Sequence, residues 1–203
     1  MFVSRRALLI SAGPAALWLC SARAADSPIT VIQRFYDALL AEMKDANHLS
    51  FDQRYQRLAP AISQAYNLPL MSRLSVGPGW NQLQPAQQQR FSDAFARYTI
   101  SVYANRFDGY AGERFEVSPS PVANPNGVIV ETKLIKSAGD TVTLNYLLRQ
   151  EGGGPWQVID IYLSGTISEL ATRRSEFAGV LQQGGAEALI KLIEDRTAAQ
   201  RAG

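Results

Sequence analysis

The candidates for chemistry in this chain are few. His48 is its single histidine and Cys20 its single cysteine, so the usual structural zinc sets cannot be assembled and a metal site would need carboxylates alone. Its serines have no histidine base placed by a recognisable motif, which argues against triad hydrolysis. Gly152-Gly153-Gly154-Pro155 has the look of a hairpin connection rather than a phosphate loop. His48 itself reads as a surface or capping residue near a helix end.

Two charged residues stand where apolar ones are expected. Asp160 lies between Ile159 and Ile161 on a strand-like run, where an unpaired carboxylate is costly. Arg174 follows Ile167 by seven residues and precedes Leu181 by seven, which sets its stem on a helix's apolar stripe. An Asp160–Arg174 pair bracing helix against sheet is one reading. The other is a snorkelling arginine and an aspartate tied to a backbone amide or water.

Aromatic residues offer a third chemistry, the shielding of an apolar ligand. Tyr98, Val102, Tyr103 and Phe107 fall on one helical segment, and Trp156, Val158 and Tyr162 alternate along a strand. Facing each other across a gap, the two sets would hold lipid tails; pressed together, they would be core. In such a pocket Asp160 with Tyr162 or Tyr146 would suit proton transfer on a hydrophobic substrate, an isomerase or dehydratase reading whose geometry no motif fixes. An envelope interaction protein that binds no lipid is a further alternative.

The elements that must position these residues are legible from caps and periodicity. Ser27-Pro28 opens a helix whose Val31, Ile32, Phe35, Leu39 and Met43 recur near a 3.6-residue period to about Ala46. Phe51, Tyr55 and Leu58 form another apolar face that Pro60 is expected to end. Leu70, Met71 and Leu74 predict a short helix stopping at Gly77-Pro78-Gly79, and Pro85 starts the strongest helical segment, through Phe91, Phe95, Tyr98, Val102 and Arg106. The period then becomes two. Strands are predicted at Phe115–Val117, from Gly127 to Ile135, over Val142–Leu148 and at Trp156–Leu163. Alternation in the last puts Trp156, Val158, Asp160 and Tyr162 on one face and Ile159, Ile161 and Leu163 on the other. A helix from Ile167 should stop at Gly184-Gly185, before a final one carrying Leu189, Ile190 and Ile193. The expected fold is α+β, a curved four-stranded antiparallel sheet with a helical layer enclosing an apolar cavity, although periodicity does not separate an open cavity from a filled core.

The first residues decide the compartment. Ser4-Arg5-Arg6, an apolar run from Ala7 to Cys20 and the small-x-small pattern Ala22-Arg23-Ala24 predict a cleavable export signal over residues 1–24, by the general or the twin-arginine route. Its removal takes three arginines and no acid, so the formal net charge falls from +2 to −1 and the basic character gives no ground for expecting nucleic acid as a partner. The remaining 25–203 chain has no cysteine and reads as one domain stabilised by its core.

Two segments carry a family resemblance. Tyr66-Asn67-Leu68-Pro69-Leu70-Met71-Ser72-Arg73-Leu74, with Gly77, Trp80, Pro85, Gln88, Phe91, Phe95 and Tyr103, and then Trp156-Gln157-Val158-Ile159-Asp160, with Gly165, Ser168, Arg174, Phe177, Gly184 and Leu189-Ile190, resemble the MlaC family of periplasmic phospholipid-binding proteins. Gly165 through Phe177 is most similar to the hopanoid-associated HpnM branch, with Arg173 where the phospholipid branch often has tyrosine. The resemblance implies a non-catalytic periplasmic shuttle without cofactor or metal. Its apolar cavity would take the tails of a phospholipid or hopanoid-type lipid, and it would exchange lipid with an inner-membrane ABC lipid transporter and, for the phospholipid branch, an outer-membrane partner. On this reading Tyr98, Val102, Tyr103, Phe107, Trp156, Val158 and Tyr162 bind lipid. Asp160 and Arg174 brace helix and sheet, and Arg173 stays near solvent or the transporter.

Overall fold

In the computed structural model, which describes residues 26–202, the caps act where the sequence places them. Ser27 Oγ accepts from Thr30 N at 3.1 Å, and helix α1 (Pro28–Asp45) buries Ile32, Phe35, Tyr36, Leu39 and Met43. Helix α2 (Phe51–Ala65) begins at a reciprocal Ser50–Gln53 capping box and runs through Pro60 instead of ending there. Pro60 is exposed, so the Gln56 carbonyl left without a partner can turn to water, while buried Leu58 and Ile62 hold the helix in place. Helix α3 (Leu68–Val76) is capped by Asn67 and stops at Gly77, whose φ is +64°. A Cβ there would lie 2.9 Å from Arg174 Cδ. Helix α4 (Pro85–Arg106) follows, and α5 (Glu169–Ala202) is interrupted at Gly185 with φ 69°, giving the two helical segments expected.

The sheet has seven strands rather than four: β1 (Arg114–Val117), β2 (Val122–Asn124), β3 (Gly127–Val130), β4 (Thr132–Ile135), β5 (Thr141–Gln150), β6 (Trp156–Leu163) and β7 (Ile167–Ser168), all paired antiparallel. Three local causes account for the difference. Between β3 and β4 the register against β5 is unbroken, but Asn145 Oδ1 accepts from Thr132 N and interrupts the ladder. Between β1 and β2 the Ser118-Pro119-Ser120-Pro121 stretch shifts register, since proline cannot donate to a neighbour. Residues assigned to the start of the last long helix instead pair briefly with the end of β6 as β7.

A bulge in β6 overturns its expected faces. Leu148 pairs with Val158 but Leu147 pairs with Asp160, which leaves Ile159 as an extra residue. Alternation therefore resets, and Ile161 and Leu163 share a face with Val158, not with Ile159. Tyr162 falls on the opposite face, with Asp160 and Leu147. Helices α1, α2, α3 and α5 pack on the strands, and α4 packs on α2, α3 and α5. The core is aromatic, with Phe35, Tyr66, Phe91, Phe95, Tyr146 and Phe177 all fully buried. Among the described residues no helix is long and apolar enough to cross a membrane.

Candidate functional site

A pocket opens where α4 faces β5 and β6. Phe95, Thr99, Val102, Tyr103, Arg106 and Phe107 recur at three- and four-residue steps along α4, so one face of the helix forms one wall. Leu144 and Tyr146 of β5 and Ile161 and Leu163 of β6 form the other, and Tyr66, Met71 and Leu170 also line it. Glu169 and Arg173, from the first turns of α5, add charge to this lining. The free volume is about 100 Å³. That is less than the ~150 Å³ cavity that accepts one benzene, so the lipid-sized cavity expected from the sequence is here an aromatic-filled gap.

Hydroxyl groups bridge the aromatic layer. The Tyr66 and Tyr103 hydroxyls bond to each other, Tyr36 donates to Tyr146 at 3.1 Å, and Tyr36 also meets Thr132 Oγ1 at 2.6 Å. Burial pushes the Tyr36, Tyr66 and Tyr146 hydroxyls far above their ordinary pKa and that of Tyr103 up to about 12. All four are neutral near pH 7, and a neutral phenol there is a hydrogen-bonding group and not a base. Tyr103 also stacks on Phe107, with centroids 5.6 Å apart, and meets Phe35 edge-on.

Of the residues singled out in the sequence for ligand contact, Val102, Tyr103 and Phe107 line this pocket. The other four lie elsewhere. Tyr98 faces α5, under the Arg173 guanidinium; Val158 is fully buried beside Leu148; Trp156 borders a separate hollow with Val31, Phe35 and Ala65; and the bulge turns Tyr162 away. Leu144 and Tyr146 were visible as alternating residues, but no local signal announces the bulge that exchanges Tyr162 for Ile161 and Leu163.

Asp160 and Arg174 do not pair. Asp160 accepts from Ile161 N at 2.7 Å, from Leu170 N at 3.1 Å and from Ser168 Oγ. It therefore ties the start of α5 to β6, with burial raising its carboxyl pKa against these donors. Asp160 also pairs with Leu147, on the face opposite Tyr146, so the sheet splits the Asp160–Tyr146 pair; Tyr162 shares the face of Asp160, and neither of these two lines the pocket. Arg174 crosses Gly77 and its Nε donates to Leu74 O at 3.0 Å, capping the end of α3. Arg173 is not a free surface charge. Glu169 holds it at 3.2 Å, and its Cζ lies 5.4 and 5.2 Å from the Phe95 and Tyr98 ring centres.

This architecture has relatives. The family model described as MlaC protein matches residues 33–195. The chain belongs to the MlaC family. Within reach of it is the toluene tolerance protein ttg2D of Pseudomonas putida, 26% identical over 175 residues, which cover 80% of this chain and 76% of that protein. A phospholipid-binding protein from Ralstonia solanacearum, solved in complex with a phospholipid, superposes with a TM-score of 0.75 at 24% identity, over 86% of this chain and 99% of that one. At that identity the likeness speaks for the MlaC fold. The predicted export signal lies outside the described residues.

Proposed function

We propose that the protein is a non-catalytic periplasmic lipid carrier, with residues 1–24 a cleaved export signal and 25–203 the carrier domain. It moves a phospholipid or hopanoid-type lipid between membranes, working with an inner-membrane ABC lipid transporter and an outer-membrane partner. Within the family its 165–177 segment sets it beside the HpnM branch.

The observation that carries this reading is the apolar pocket between α4 and the β5–β6 face, in a fold whose Ralstonia solanacearum counterpart was solved with a phospholipid. Tails enter by displacing Tyr103 and Phe107 from the β5–β6 wall. Ring contacts of this kind contribute about 1 kcal/mol each beyond their burial, whereas every methylene leaving water contributes about 0.8 kcal/mol, so a long tail outweighs their separation.

Native mass spectrometry of the protein purified from its own periplasm, followed by lipid extraction, tests the reading. A stoichiometric adduct of one lipid class is expected. Repeated recovery without lipid, together with failure to take lipid from vesicles, would overturn it.

A further inference from the structure

Helix α5 lines a second concavity, away from the pocket. Glu169, Leu170 and Arg173 line the pocket, whereas Ala171, Arg174, Ser175, Ala178 and Leu181 recur at three- and four-residue steps on a different side of the helix. With the 3₁₀ turn Gly77–Gln82 they bound an open hollow of about 620 Å³. Pro78 and Arg174 also border a second hollow, of about 650 Å³, which continues the first toward Arg73, Trp80 and Asn81. Arg174 is held in place between the two. A Cβ at Gly77 would lie 2.9 Å from its Cδ, and its Nε donates to Leu74 O at 3.0 Å. Gly79 admits Leu181 as closely, since a Cβ there would lie 2.5 Å from Leu181 Cδ2. Arg73 and Arg174 are both exposed, and neither has an ion pair among the described residues. No acidic side chain among the described residues lines either hollow. The groove therefore combines two uncompensated guanidiniums with the half-buried Trp80 and an apolar lining of Val76, Pro78, Ala178 and Leu181. Arginine and tryptophan are the side chains on which protein interfaces most often concentrate their binding energy.

We propose that the groove between the Gly77–Gln82 turn and α5 docks an extended acidic peptide segment of a partner protein, its carboxylates on Arg73 and Arg174 and its apolar side chains beside Leu181. Charge complementarity selects the occupant: planar guanidiniums accept carboxylates in a two-point geometry, and arginine clusters are a recurring means of reading acidic motifs. An elongated concavity of two joined hollows fits a peptide strand, whereas a flat bilayer surface would leave it empty. The site makes no use of the pocket between α4 and the β5–β6 face, so it stands or falls apart from the carrier reading.

The test selects a random-peptide display library on the purified protein and then titrates one enriched, labelled peptide by fluorescence anisotropy. Enriched peptides should carry aspartate or glutamate interspersed with apolar residues, and their binding should weaken as salt is raised. Arg73→Ala and, separately, Arg174→Gln should each weaken the titrated peptide by about tenfold, the effect of one hydrogen bond to a charged group. Arg73 is exposed, so its variant keeps the test open if Arg174→Gln, which removes the cap on α3, fails to fold. Failure to enrich acidic peptides, or an affinity unchanged in Arg73→Ala and in folded Arg174→Gln, overturns the site. Binding to phosphatidylglycerol vesicles that is lost in Arg73→Ala, with no acidic peptide enriched, reassigns the arginines to an anionic membrane surface and overturns the peptide assignment. A dimer in sedimentation that Arg73→Ala dissociates reassigns the groove to a second copy of this chain and overturns it equally.

Discussion

Glu42 is the residue whose environment departs furthest from its chemistry. It is 4% exposed on α1, and neither carboxylate oxygen has a hydrogen-bond partner among the described residues. Burial lifts its pKa from 4.5 to about 7, against the attraction of Arg54 and Arg57 and with some help from Asp108 and Asp45. Between those values the folded protein holds a proton that the unfolded chain has released. Its contribution to stability is therefore complete below about pH 4.5 and is lost as the pH rises through about 7. Glu42→Gln should remove this dependence. Relative to wild type, the variant should gain stability between pH 5 and 8 by on the order of 2–3 kcal/mol, read as the pH dependence of the difference in urea midpoints. A constant difference across that range would count against the assignment. None of this was legible in the sequence, where Glu42 sits one position before an apolar residue of the α1 stripe like any solvent-facing acid. Asp160 and Arg174 were legible as misfits on apolar stripes. Their partners were not, because a main-chain amide or carbonyl has no sequence signature.

Among the elements, the helix ends marked by caps and glycines were the best read, since those signals are local, whereas the end assigned to Pro60 was not one. The sheet was less well read, because Asn145 capturing an amide of β4 and the extra residue in β6 depend on a neighbouring strand. The junction of β6 with α5 depends on one side chain. Ser168 Oγ accepts from Ala171 N at 2.9 Å as the helix cap, and Asp160 receives both that hydroxyl and the Leu170 amide. Asp160→Ala leaves the buried Leu170 N–H without an acceptor, so a loss of about 2–4 kcal/mol is expected. Urea denaturation measures it, and faster hydrogen exchange at Leu170 and Ala171 than elsewhere in α5 would locate it. A loss below about 0.5 kcal/mol, the size of an ordinary surface substitution, would show that water replaces the carboxylate.

For the whole molecule, the question is which substitutions change capacity and which change folding. Val102 lies on the pocket wall and is partly exposed, whereas Val158 is fully buried and its carbonyl accepts from Asn67 N at 2.9 Å. Val102→Trp should keep the thermal midpoint within a few degrees and remove most lipid uptake from vesicles. Val158→Trp should overpack the core and cost about 1–3 kcal/mol or more. Near-normal uptake by folded Val102→Trp would remove Val102 from the ligand path. The layered arrangement of helices on an antiparallel sheet was evident from sequence; of the residues assigned to the α4 wall, Val102, Tyr103 and Phe107 line the pocket and Tyr98 does not. The β6 wall was not evident, and the reason is the bulge. Seen as a reading frame, β6 has two phases, and Ile159 is the residue whose excision leaves every other side chain on its present face, with Asp160 still opposite Leu147 and Ile161 still opposite Tyr146. Excising a residue between Asp160 and Leu163 would instead turn the side chains on one side of the cut to the wrong face. Loss of Ile159 should therefore preserve folding while reducing the local twist and bend beside the pocket. A folded but flatter variant with diminished uptake is the expected result, and it would identify β6's extra residue as a determinant of curvature.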